Sequence, residues 1–188
     1  AMWEQEMEIS REQEGEWIIP TKTVNELLKS LKDEGDLKIQ VSENQVAFEY
    51  DSLLVISKLV DHTYPNFRQV LPGGAEERIS LERELVLNAV RRVALLLNDR
   101  SNAITLHFAK DHLEISAVAS DIGEAKEKVA IKYRGKDITV AFNPDFLMDP
   151  LRNLDGDEVA VELSDELSPC LIRNDKPFQY VLMPMRVK

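Results

Sequence analysis

Cysteine is almost missing from this chain: Cys170 stands alone, with no Cys or His at metal-ligand spacing around it. An intramolecular disulfide is therefore excluded, and a small core residue is its expected role. Histidine is scarce too, and His62, His107 and His112 are scattered. His107 and His112 flank the Ala109-Lys110-Asp111 turn, so the two can approach each other, but further metal or catalytic partners are not identifiable. The sequence has no glycine-rich phosphate loop, nucleophile elbow or His-Glu-x-x-His pattern. Asp155-Gly156-Asp157 and Glu34-Gly35-Asp36 lack the oxygen-ligand spacing of a calcium loop and read as turns. A protein that is not an enzyme, without cofactor or metal, is expected. No apolar run approaches the roughly 18 residues of a membrane span, and Ala1 to Glu6 lacks the regions of a signal peptide, so a cytoplasmic location is expected.

Basic residues are in deficit, 23 Lys and Arg against 34 Asp and Glu, for a net charge of −11. That balance argues against a uniformly nucleic-acid-binding surface, because phosphate affinity comes mainly from Lys and Arg. It does not exclude a local basic strip, so the placement of those residues decides more than their sum.

What the sequence does have is a repeat. A short apolar strand, an amphipathic helix, a turn and three strands recur three times. The first copy has Trp17 to Pro20 as strand, a helix through Val24, Leu27, Leu28 and Leu31, a turn at Glu34-Gly35-Asp36, and strands near 37–41, 45–50 and 53–59. The middle copy starts at Arg78 to Leu81, continues through a helix over 82–97, and has strands at 103–108, 112–118 and 126–133. The last has a strand at 139–142, an Asn143 cap with Pro144 at the first helical position, an apolar side of Phe146, Leu147, Leu151 and Leu154, and strands at 158–163, 170–173 and 179–185. A shift of 123 positions superimposes Val24 on Leu147, Leu28 on Leu151 and Leu31 on Leu154. One copy alone leaves sheet edges open, so copies are expected to pair around a shared core. Leu71 to Glu77, with its proline, two glycines and charges, has the chemistry of a boundary.

At about 100° per residue, Lys22 and Lys29 fall opposite the apolar side of the first helix. Arg91 and Arg92 lie about 130° to either side of the Val86, Val90, Val93 and Leu97 stripe, and Arg152 about 150° from the last helix's apolar centre. Side by side, three such helices would form a basic strip; ordinary charged helix backs are the alternative, since Glu26, Asp33, Glu82 and Glu84 are mixed in. Leu95 points away from the valine stripe and Leu96 lies off it, which fits either a subunit contact or a covering loop.

Ser57-Lys58-Leu59-Val60-Asp61, followed by Tyr64-Pro65-Asn66-Phe67-Arg68-Gln69-Val70-Leu71-Pro72, resembles the end of the middle domain in the bacterial sliding clamp family, the beta subunit of the replicative DNA polymerase. Tyr180-Val181-Leu182-Met183-Pro184-Met185-Arg186 resembles that family's C-terminal segment, and the similarity extends along nearly the whole chain. The resemblance implies an α+β DNA clamp fold in which repeated βαβββ units pair into a domain, helices on one side and antiparallel sheets on the other. By it, residues 1–72 correspond to the second half of the middle domain, 73–76 to a linker and 77–188 to a complete C-terminal domain. A clamp has three such domains, and two protomers join head to tail into a ring around DNA, so a fragment is expected here.

The family docks short peptide motifs of polymerases, clamp loaders and repair proteins in an apolar pocket. The matching positions are Pro65, Gln69 and Val70, then Asn143 and Phe146, then Leu167 and Pro169, and finally Val181, Leu182, Met183, Pro184, Met185 and Arg186. Apolar and Met side chains beside a few polar groups suit an adaptable peptide site. Gln69 and Phe146 stand where relatives often carry Arg and Tyr, which offer charge or hydrogen-bond contacts that these two lack. A His-Arg-Leu segment that walls the family's pocket would fall just before Ala1, so an incomplete pocket is expected. Carried over likewise, Lys22, Lys29, Arg91, Arg92 and Arg152 would face duplex DNA without sequence preference, and Leu95, Leu96 and Arg100 would meet the partner protomer of a homodimer. The competing expectation is a short stand-alone clamp-like interaction module that does not encircle DNA.

Overall fold

The computed structural model describes residues 1–5, 15–32, 34–98, 102–119 and 122–186. They divide into two compact units, one of Met7–Asn66 and a larger one of Phe67–Lys188 together with Ala1–Glu6. The division thus falls ahead of the Leu71 to Glu77 turn. That turn belongs with the larger unit, where Ser164 Oγ donates to Gly74 O at 3.3 Å and Lys136 Nζ meets Glu76 at 3.4 Å.

In the larger unit the middle copy forms β5 (Glu77–Glu82), α2 (Arg83–Ala94), β6 (Ile104–Ala109), β7 (His112–Ala119) and β8 (Gly123–Ala130). The last copy forms β9 (Ile138–Phe142), α3 (Pro144–Asn153), β10 (Glu158–Leu163), β11 (Cys170–Arg173) and β12 (Phe178–Leu182). Each copy's first strand pairs into the other's sheet. β5 lies antiparallel to β10, with Ile79 opposite Val161, and β9 lies antiparallel to β6, with Val140 opposite Leu106. The resulting sheets run β8-β7-β6-β9 and β1-β12-β11-β10-β5, the latter completed by the short β1 (Met2–Trp3) on β12. α2 and α3 pack on each other, and their apolar stripes close one core. Val86, Val90 and Val93 meet Leu147, Leu151, Phe108, Ile115 and Ile172 there. This is an α+β fold built from two interlocked βαβββ copies.

Local chemistry explains the ends of its helices. Asn143 Oδ1 accepts from Asp145 N at 2.9 Å, a side-chain cap that satisfies one of the orphan amides of α3. At its other end, Arg83 Nη1 donates to Leu151 O and Nε to Gly156 O, both at 2.7 Å, so the first residue of α2 satisfies carbonyls where α3 finishes. Gly156, at φ 93°, makes the turn out of α3 in a conformation that favours glycine. α2 stops at Ala94 rather than Leu97, because Leu95, Leu96 and Leu97 donate to carbonyls only three residues back and tighten the chain out of the helix. β8 begins and ends earlier than the pattern suggests, and Tyr133 beyond it is buried against Phe108 instead.

The smaller unit holds one copy: α1 (Thr21–Ser30) over a sheet of β2 (Lys38–Val41), β3 (Gln45–Tyr50) and β4 (Leu53–Lys58). Gly35, at φ 117°, turns the chain between helix and sheet, in the turn that corresponds to that of Gly156 after α3. Its core is small: Leu27, Val46 and Phe48, with Ile19, Leu31, Val55 and Leu59 packed partly against them. Two expectations are corrected here. Trp17 to Pro20 is not a strand; it touches the sheet extension through one hydrogen bond, Val60 N to Ile18 O at 2.9 Å. Its counterpart β5 is held by β10 of a second copy, and the smaller unit has no such strand among the described residues. The helix also buries Thr23 and Leu27, while Leu28 is 73% exposed and Val24 is exposed as well. The Thr23 and Leu27 stripe meets the sheet, and among the described residues of the smaller unit there is no second helix to cover the flank that α2 and α3 cover for each other in the larger unit.

Candidate functional site

The chain's last described segment gathers the best-formed part of the site. Along β12, Phe178, Tyr180 and Leu182 turn inward against the core, and period-two alternation leaves Met183 exposed. Leu182 is buried opposite Cys170, so its side chain belongs to the core and not to a pocket, contrary to expectation. Val181 sits half-buried opposite Leu171, and Pro184 is half-buried after it. Met185 N then donates to Ala141 O at 2.7 Å, laying the segment along the outer edge of β9.

A cavity of about 540 Å³ opens beside that edge. Leu167, Met185 and Arg186 line it, as do Thr105, Thr139, Val140, Ala141 and Glu166. Leu167 is held by a tight turn: Asp165 accepts from Leu167 N at 2.8 Å, from Ser168 N at 2.7 Å and from Ser168 Oγ at 2.6 Å. The Ser168 hydroxyl first, and the two amides after it, hold the Asp165 carboxyl below its ordinary pKa. Pro169, half-buried, ends this turn before β11. Of the pocket residues read from sequence, the cavity therefore unites three. Of the five others, Thr105, Thr139, Val140 and Ala141 lie on β6 and β9, whose approach to the terminus is set by long-range pairing, while Glu166 lies in the turn beside Leu167; the alternation of β9 marks Thr139 as outward-facing, which is the one signal available in advance.

The remaining positions are spread more widely. Asn143 is committed to capping α3, and Phe146 one turn further on is 55% exposed. Gln69 and Val70 are exposed on a 3-10 turn, Phe67–Val70, in the larger unit, whereas Pro65 is exposed in the smaller one.

The helix backs are cationic but unequal. Lys22 and Lys29 are exposed, with Lys29 Nζ 3.2 Å from Glu26. Arg91 is exposed and reaches Asn88 Oδ1 at 3.4 Å; Arg152 is exposed and reaches Met148 Sδ at 3.4 Å. Arg92 instead donates through Nε and Nη2 to Glu127 of β8, the Nη2 bond being 2.6 Å. That bidentate pair raises the guanidinium and lowers the Glu127 carboxyl, in each case chiefly through the hydrogen bond. Its charge is already matched within the fold. Leu95 is 85% exposed just past α2, but Leu96 folds back half-buried against the core, a correction to the expected exposed pair. Arg100 lies outside the described residues.

His107 and His112 do approach, with ring centroids 6.5 Å apart. Their Nδ1 atoms are occupied by Thr139 Oγ1 at 2.9 Å and by Lys110 O at 3.0 Å. Among the described residues no group of three or more His, Cys, Asp or Glu is arranged to hold a metal ion. Burial pushes the Cys170 thiol up to about 12, which leaves it unreactive at neutral pH.

Residues 68–186 match the family described as DNA polymerase III beta subunit, C-terminal domain, and residues 1–66 match the central domain of the same subunit. The chain belongs to the DNA polymerase III beta subunit family. The beta sliding clamp of Chlamydia pneumoniae is 32% identical over 182 residues, covering 97% of this chain and 50% of the relative. That of Haemophilus influenzae is 33% identical over 173 residues, covering 90% and 47%. A sliding clamp from Bartonella birtlesii, solved bound to griselimycin, superposes with a TM-score of 0.87 at 36% identity, over 91% of this chain and 47% of that one. The DNA polymerase sliding clamp of Bacillus subtilis gives 0.86 at 29% identity, over 92% and 47%. The chain spans about half the length of these relatives. Its two interlocked βαβββ copies are thus the clamp fold, and no helix among the described residues is long and apolar enough to cross a membrane.

Proposed function

We propose that this clamp-family chain is part of a processivity ring, a non-enzymatic cytoplasmic factor that encircles duplex DNA as a homodimer. On this reading it tethers polymerase, clamp loader and repair proteins through short peptide motifs. Residues 1–72 act as the second half of a central domain, and 77–188 as a complete C-terminal domain behind a 73–76 linker.

The observation that carries the reading is how the edges meet. β12, the final strand of one copy, accepts β1 as an antiparallel neighbour, whereas the equivalent final strands β4 and β8 end their sheets among the described residues. Open edges at equivalent places suit a closed series of such units. Arg91 and Arg152 stand on the exposed sides of adjacent helices, as non-specific phosphate contacts require. The exposed Leu28 and Ile39 disfavour a stand-alone module, because they need a covering partner.

The peptide-docking part is tested by fluorescence polarisation with a labelled clamp-binding peptide. The 188-residue chain should bind weakly, and a chain extended upstream by one further copy should gain at least about tenfold, the gain from completing an apolar pocket by one anchor-sized contact. Equal affinity for the two chains would count against the pocket.

A further inference from the structure

We propose that the larger unit selects peptides whose apolar anchor is flanked by a lysine or arginine, with Glu166 as the specificity-determining residue that meets the cation. This rests on the peptide-docking reading and adds a charge rule to it.

Two cavities, of about 540 and about 390 Å³, adjoin at Thr139 and Glu166, which line both. The first has an apolar floor of Val140, Ala141, Leu167 and Met185. The second is acidic: Glu76, Glu77, Asp137 and Asp165 line it, and Lys136 is its one cationic lining residue.

Most of these charges are already committed. Lys136 Nζ lies 3.4 Å from Glu76, and its backbone N donates to Glu77 at 3.3 Å. Asp165 accepts the three hydrogen bonds of its own turn. Glu166 is different: it is exposed at the junction, and its carboxylate has no hydrogen-bond or ion-pair partner among the described residues, Arg186 included. Arg186 lines the apolar cavity only, so the sign of the charge changes from one cavity to the other.

A peptide that seats an aliphatic side chain on Leu167 and Met185 therefore carries its next residues past the Glu166 carboxylate and over a negative surface. Lysine and arginine suit that path, since their aliphatic stems follow apolar surface while the head reaches the acid. An acidic flank would meet repulsion from the same groups.

The test compares two labelled peptides with the same apolar anchor, flanked by lysine in one and by glutamine in the other, on the 188-residue chain by fluorescence polarisation at low salt. The lysine peptide should bind about three- to fivefold more tightly, the upper range for an exposed ion pair, and the ratio should shrink with added salt. Glu166→Gln should bring the ratio close to one. Leu167→Ala should weaken both peptides and leave the ratio in place. A ratio near one on the unmodified chain, no measurable binding of the lysine peptide, or a preference that survives Glu166→Gln would each overturn the proposal. Failure of the glutamine peptide to bind the upstream-extended chain would instead sink the docking reading, so the two claims fail separately.

Discussion

In the larger unit two βαβββ copies close on each other, and the apolar stripes of α2 and α3 disappear into one core. In the smaller unit the same design stands as a single copy, and Leu28, which aligns with the buried Leu151 of α3, is 73% exposed. The helices have the same kind of sequence, so the difference is one of partnership. An amphipathic stripe wider than a sheet can cover needs a second helix, and a first strand such as Trp17 to Pro20 needs a foreign sheet to become a strand at all.

The largest effect should come from breaking that contrast directly. Leu151→Ala, at a side chain 1% exposed, should cost about 2–5 kcal/mol, while Leu28→Ala should change stability by no more than about 0.5 kcal/mol. Urea denaturation followed separately in each unit checks this, and equal losses at both positions would mean that Leu28 is covered in solution.

Arg83→Ala should follow, at roughly 1.5–3 kcal/mol, because two carbonyls at the end of α3 lose a charged donor that has no counterpart on α1. Thermal unfolding of the larger unit reads that loss. Asn143→Ala removes the α3 cap and should cost about 1 kcal/mol; Pro20, at the same place before α1, makes no side-chain cap hydrogen bond.

Much of this was legible in the sequence, for a physical reason. Helix stripes, the Asn143-Pro144 start and the glycines after α1 and α3 are local features with a fixed period or a fixed backbone need. The exchange of β5 and β9 between copies was not legible, because alternation along a strand does not name its neighbour. The same limit applied to the site. Leu167, Met185 and Arg186 could be singled out by resemblance, but Thr105 joins them only through the pairing of β6 with β9 and the hydrogen bond of Met185 to Ala141. Leu182 was misplaced because a one-residue change of face along a strand moves a side chain from surface to core, and Leu96 because the chain tightens after Ala94 and turns it back against the core.

Smaller effects distinguish the two arginines of α2. Arg91→Ala should reduce the log–log salt slope of duplex binding by about one phosphate contact, and Arg92→Ala by less, since Glu127 already neutralises it. Filter binding across a salt series checks both, and equal slopes for the two variants would contradict the ranking.

The Arg92–Glu127 pair also gives the smallest expected effect, one on pH dependence. Glu127 has a folded pKa below its ordinary 4.5, so the pair's contribution is present above that value and is lost as pH falls through the lowered one. Glu127→Gln should flatten acid unfolding in that window, as measured by circular dichroism.

Native-state hydrogen exchange on the intact chain tests the contrast between closed and open copies most directly. Amides of β6, β10 and α2 should exchange only through global unfolding of the larger unit, while those of β2 to β4 should open roughly a hundredfold or more often, as expected for a region with few buried contacts. A single protection level shared by both units would contradict the claim that the smaller one is an open half.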